Sequence, residues 1–258
     1  MTNWSQKVLQ ILTADTNDLQ ELAELVGGDP KSFYQFTRLG DLDLTNQNIA
    51  HMKFLDNDSV KYSVLDVPEV DPKIQAKAEK QATSLLTKNL PIPDKIGKFV
   101  RNISLLGSIF NDCSHLKNAP WIQNLDLDRT NIVDVSELSN QLSLEILDIQ
   151  GTDIVDISPL ERLLKLETLL LQNTQVADIS ALKNLSNLQH LYLSNTQVAD
   201  ISALKNLSNL LYLDLANSQV ADISALENLS NLKTLDIHNS KISDVSGLSH
   251  LSGLVITR

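Results

Sequence analysis

The 258-residue chain lacks much that would point to chemistry. Its single cysteine, Cys113, excludes an intramolecular disulfide and a cysteine-based zinc site. Two Trp, four Tyr and five Phe leave core filling mainly to Leu. No apolar run approaches about 18 residues, so no transmembrane helix is expected. Residues 1–7 lack the apolar stretch of a secretory signal, which makes a cytoplasmic location the expectation. Export by a route that ignores such signals stays open. Positive charge is short as well: 21 Lys and Arg stand against 32 Asp and Glu, a net of −11. Nucleic-acid binders carry a basic stripe, so DNA and RNA are disfavoured, as is an anionic membrane surface. The apolar share of 42% is that of a folded globular chain.

What is present is a repeat. Leu144, Leu166, Leu188, Leu210, Leu232 and Leu254 lie 22 residues apart, and Ile122 and Val100 extend the series upstream. Counting each unit from these residues gives seven units from residue 100 to 253 and a truncated eighth. Positions 4 and 6 alternate as in a strand, from Leu125 and Leu127 to Leu235 and Ile237, so both side chains share the inward face. Position 11 runs from Phe110 to Ile242 and position 14 from Cys113 to Val245, all apolar; position 17 is always Leu. One such coil cannot bury its apolar side alone, but stacked coils form a continuous core. Cys113, in the column of Ile and Val, is expected to be a small core residue and not a nucleophile.

Three polar columns are equally regular. Position 9 is always Thr or Ser, position 13 always Asp (Asp112 to Asp244) and position 15 always Ser. A calcium loop gathers several oxygens within one loop, so a single Asp per unit reads as turn chemistry and not as a metal array. The Ser is expected to be the N-cap of a short helical turn, with Pro159 at its first helical position. The position-13 carboxylates and position-9 hydroxyls are expected to bond turn amides. Gln141 at position 20, beside Leu142, suggests a local irregularity.

The pattern LxxLxLxxTxVxDISxLxxL resembles bacterial leucine-rich repeats of the 22-residue, internalin-like class over residues 100–258. It departs in placing Thr or Ser at position 9, where the ladder Asn is usual. The resemblance implies an α/β repeat solenoid: a curved parallel concave sheet, short helical or 3-10 turns on the convex side, and a protein-binding role.

Residues 1–99 differ. Helical periodicity at Trp4, Val8, Ile11 and Leu12 and at Leu19, Leu22, Leu25 and Val26 predicts a helix pair, stopped by Gly27 and Pro30. Leu39, Leu42, Leu44, Ile49 and Leu55 fit a degenerate coil over 39–60. A further helix is expected over 72–89, with Ile74, Ala78, Ala82, Leu85 and Leu86 on one side. The region is expected to be a mainly helical cap on the solenoid. At the other end residues 254–258 begin an eighth strand, whose exposed edge invites self-association.

No catalytic constellation emerges. The five His form no metal motif, and residues 27–32 lack phosphate-loop spacing. The Asn-Leu-Ser triplets at Asn184, Asn206 and Asn228 recur because the repeat recurs. The protein is expected to be no enzyme and to need no cofactor. The concave face is the expected site, made by positions 3, 5 and 7. From residue 122 onward the only aromatics are Tyr192 and Tyr212, and both fall there on adjacent strands, within aromatic reach. Leu170 stands beside Tyr192, and His190 beside Tyr212. Asp126, Asp148, Asp214 and Asp236 share the position-5 column, with His238 close by. Residues 122–258 hold 17 acidic against 8 basic residues, so a partner protein with a basic surface is the natural complement. The alternative is a regulatory subunit, or an effector whose activity resides in residues 1–99.

Overall fold

The computed structural model describes residues 70–258. The expected helix pair before residue 30 and the degenerate coil at 39–60 lie outside the described residues.

Asp71 starts helix α1 (Pro72–Leu86) by accepting the Lys73 N–H at 2.8 Å, with proline in the first turn where no amide is missed. Ile74, Ala78, Ala82 and Leu86, spaced by four, form its buried stripe. The helix ends before Asn89, whose φ of +55° reverses the chain, and the Leu90 N–H returns to the Leu85 carbonyl. A short turn, α2 (Asp94–Gly97), leads into the repeats.

Eight parallel strands follow in sequence order as one sheet: β1 (Asn102–Ser104), β2 (Asn124–Asp126), β3 (Ile146–Asp148), β4 (Thr168–Leu170), β5 (His190–Tyr192), β6 (Tyr212–Asp214), β7 (Thr234–Asp236) and β8 (Val255–Thr257). From β1 to β7 each residue pairs with the one 22 later, Ile103 with Leu125 for example. Positions 4, 6, 11, 17 and 20 of successive coils interlock in a single core. That is the leucine-rich-repeat solenoid the resemblance implies, with 3-10 turns such as Ser180–Asn184 opposite the sheet.

Four expectations are corrected. The Ser of position 15 is the first residue of its turn in six coils and the second, after Cys113, in the first coil; in none is it the cap. The cap bond comes from the Asp two residues earlier, whose Oδ1 accepts that Ser N–H at 2.7–2.8 Å in all seven coils. A carboxylate one residue further back reaches the amide that a Ser hydroxyl at the first position cannot. The position-9 hydroxyls divide by type. Thr130, Thr152, Thr174 and Thr196 donate to the carbonyl three residues back, at 2.6–2.8 Å, and do not accept from amides. Ser108, Ser218 and Ser240 do accept, weakly, at 3.4 Å. Gln141 causes no irregularity, because it sits in the Leu column, 3% exposed, and its Nε2 donates to the Leu116 carbonyl. Finally, the last coil is one residue short: Leu235 pairs with Ile256, so Leu254 comes directly before β8 in position 2 of its coil and not in position 1, and both Leu254 and Ile256 pack against the core.

Position 8, which carried no expectation, turns the chain out of each strand. Gly107, Arg129, Gly151, Asn173, Asn195, Asn217 and Asn239 all have φ between +52° and +63° there, a region that Gly and Asn tolerate best.

Candidate functional site

The outward sides of the strands carry every residue expected at the site but His238. Asp126 is on β2, Asp148 on β3, Leu170 on β4, His190 and Tyr192 on β5, Tyr212 and Asp214 on β6 and Asp236 on β7; His238 follows β7. The register aligns Asp126 with Asp148, Leu170 with Tyr192, Tyr192 with Asp214, and Asp214 with Asp236. His190 aligns with Tyr212. The two tyrosine rings meet with centroids 4.7 Å apart and planes tilted by 35°. This is the contact that their diagonal placement predicts, within the range of stacked aromatic pairs. Both tyrosines are partly exposed.

The four aspartates also serve their own strands. Each uses Oδ1 to accept the N–H two residues on: Asp128 for Asp126, Gln150 for Asp148, Ala216 for Asp214 and His238 for Asp236, all at 2.9–3.0 Å. Sequence reasoning missed this role. The signal was the Asp in column 5, taken only as surface charge. Asp214 is sunk among its neighbours, 8% exposed, and is no freely solvated rim charge.

The face is electrostatically one-sided. Burial pushes the Asp148 carboxyl up, and the charges of Asp126 and Asp128 push it further against the opposing bonds from Gln150. Burial likewise raises the Tyr212 phenol, helped by Asp214, Tyr192 and Asp236. Asp128, at position 7, is 7% exposed. Its Oδ1 lacks a hydrogen bond, with Arg129 Nε standing off at 3.6 Å. Gln172 Oε1, in the same column, is also buried without a partner. Cys113 lies in the core with its thiol pushed up to about 12, chiefly by burial, which removes it from nucleophilic chemistry. Among the described residues no group of three His, Cys, Asp or Glu could hold a metal ion, and no helix is long and apolar enough to cross a membrane.

A stacked parallel ladder with one turn per 22 residues defines the leucine-rich-repeat class of solenoids. Residues 142–184, 164–206, 186–228 and 208–250 each match the family described as Leucine Rich repeats (2 copies). Internalin C2 from Listeria monocytogenes is 31% identical, with a TM-score of 0.63, covering 72% of this chain and 92% of that one. The internalin inlF from the same organism is 30% identical at a TM-score of 0.60; 65% of this chain matches, and it spans about half, 51%, of that structure. A leucine-rich repeat protein of Leptospira interrogans, 19% identical at a TM-score of 0.52, shares the fold; 64% of this chain and 51% of that one are covered. No curated protein sequence matches. The chain belongs to the bacterial internalin-like leucine-rich repeat proteins. Leucine-rich repeats are, as a class, protein–protein interaction modules.

Proposed function

We propose that the protein is a non-enzymatic interaction module that holds a partner protein on its concave face. Tyr192 and Tyr212 are the anchors, Leu170, His190 and His238 their surroundings, and the column of Asp126, Asp148, Asp214 and Asp236 selects a basic surface. The observation that carries this reading is the Tyr192–Tyr212 contact. Two partly exposed rings are held together on a face whose other residues are mostly polar, and rigid aromatic area is what interface anchors supply. A cytoplasmic site of action, and self-association through the outer edge of β8, belong to the same reading; fractionation and concentration-dependent gel filtration test them.

The deciding experiment identifies the partner by cross-linked capture on the full chain and then measures its Kd. Tyr192→Ala with Tyr212→Ala is expected to weaken binding by at least about 2 kcal/mol per ring while the melt stays unchanged. If this variant binds normally and the convex pair Lys183→Glu with Lys205→Glu does not, the site lies on the other face. If only removal of residues 1–99 matters, the activity resides there.

A further inference from the structure

Column 5 of the sheet reads, from β2 to β7, Asp126, Asp148, Leu170, Tyr192, Asp214, Asp236. Two acidic pairs flank an apolar pair. From this pattern, and resting on the concave-face reading above, we infer the chemistry of the partner. It presents an extended segment laid across the strands, with a cationic side chain at each end and apolar side chains between, in the order cation, apolar, apolar, cation at alternate residues.

Three observations support it. First, the fold does not need these charges. Like charges directly opposite on neighbouring strands are destabilising, yet Asp126 faces Asp148 and Asp214 faces Asp236. Leu170 and Tyr192 fill the same position in strands with the same pairing. An Asn would accept the same strand amide without a charge. Second, the strands' own outward face brings them no cation. Positions 3, 5 and 7 contain no Lys or Arg in any of the seven coils. Burial first, and then the charges of Asp126 and Asp128, push the Asp148 carboxyl up. Third, the face holds acceptors that lack a hydrogen bond. Buried Gln172 Oε1 has none, and neither has Asp128 Oδ1, which only the Arg129 Nε at 3.6 Å approaches; Asp128 also lies close enough to Asp148 to repel it. Buried acceptors are normally satisfied, and a guanidinium or ammonium brings several donors at once.

The spacing follows from the ladder. With strands about 4.8 Å apart, the centres of the two acidic pairs are four steps, about 19 Å, from one another. Leu170 and Tyr192 fall about 7 and 12 Å along that line. An extended segment places alternate side chains on one face every 6.7 Å or so, giving points near 0, 7, 13 and 20 Å. Residues i, i+2, i+4 and i+6 of the segment thus meet the first acidic pair, Leu170, Tyr192 and the second acidic pair in turn. The near-symmetry of the column lets the segment lie in either direction.

The test uses the full chain and two synthetic peptides of equal composition with blocked ends, measured by titration calorimetry. One is Arg-Ser-Leu-Ser-Leu-Ser-Arg, the other Arg-Arg-Ser-Leu-Ser-Leu-Ser. The spaced peptide is expected to bind about ten-fold tighter, and raised salt to weaken both. Asp148→Asn and Asp214→Asn keep the strand acceptor, remove one charge each, and are expected to bring the two peptides near parity with no loss of thermal stability. Equal affinity of the isomers, binding of neither, or a preference that survives both Asn variants overturns the inference. If the isomers are equal while Tyr192→Ala with Tyr212→Ala still abolishes capture of the native partner, the concave site stands and only the spaced-cation rule falls.

Discussion

Glu79 Oε1 accepts the Asn102 backbone N–H at 2.8 Å and the Arg101 N–H at 3.2 Å. In the following coils the same two amides, positions 2 and 3, both bond one carbonyl of the preceding coil: Gln123 and Asn124 to Arg101, Glu145 and Ile146 to Gln123. One carboxylate oxygen on α1 thus takes the place of the carbonyl of a preceding strand. It also receives Asn102 Nδ2 and Gln75 Nε2, at 2.9 and 2.8 Å. The first strand is closed by a side chain and not left as an open edge.

Glu79→Ala is accordingly expected to destabilise the chain by about 1–3 kcal/mol, because two backbone donors lose their acceptor. Glu79→Gln keeps a carbonyl oxygen and should recover part of the loss. Denaturant melts give the totals. Faster hydrogen exchange at Arg101 and Asn102, with β5 unchanged, places the effect at the edge.

Gln141 occupies a column whose later members are Leu163, Leu185, Leu207, Leu229 and Leu251, all buried. Its Oε1 has no partner, and the Leu116 carbonyl it bonds already accepts the Ala119 N–H. Gln141→Leu is expected to stabilise by about 1–2 kcal/mol, read as a higher denaturant midpoint at constant slope. A lower midpoint would show that the amide is needed where it stands.

Acid should act on the repeats through column 13. The Ser180 amide and hydroxyl hold Asp178 below its ordinary value of 3.8, and Asp112, Asp222 and Asp244 are held down in the same way by their Ser. A lowered folded pKa contributes stability that is present above the ordinary value and lost as pH falls through the folded one. The melt should therefore be flat from pH 7 to about 5 with respect to these groups and fall below pH 4. Asp178→Ala lowers the melting temperature at pH 7, and the difference from wild type shrinks as pH drops.

Asp148 has the opposite sign. Its carboxyl is raised, so the charged form costs stability at neutral pH, and that cost disappears as pH falls toward the folded value. Asp148→Asn is expected to raise stability at pH 7, by under about 1 kcal/mol after solvent screening, with the gain fading in acid. Paired melts at pH 7 and pH 4 check it.

Most of the solenoid was legible because the repeat averages over seven copies. Position 4 is apolar in all seven coils, so its inward direction needs no further argument. Tyr192 and Tyr212 were legible for the same reason: once the register is known, a column and a strand define a neighbour. Polar detail was harder. Thr and Ser at position 9 look interchangeable, but only the Thr hydroxyls donate back to a carbonyl in this structure. The left-handed turn at position 8 was written in its Gly and Asn residues and hidden by Arg129, which adopts the same φ. Asn187, Asn209 and Asn231 donate to the carbonyl 23 residues earlier, a link between coils that no local pattern announces. The Glu79 contact was out of reach, because it joins the repeat to a segment that does not repeat.

Residues 173–188 and 195–210 are the same sixteen-letter string. Recombination between the two stretches of gene that encode them would remove one whole coil, and the coils on either side would close over the gap with the same Leu-on-Leu contacts. What disappears is β5, with His190 and Tyr192. The fold would survive the event intact, while the ring pair would be broken and the two acidic pairs drawn one rung closer. In this molecule the length of the array is a heritable variable separate from its fold, and partner choice can drift by whole coils without any core residue being substituted.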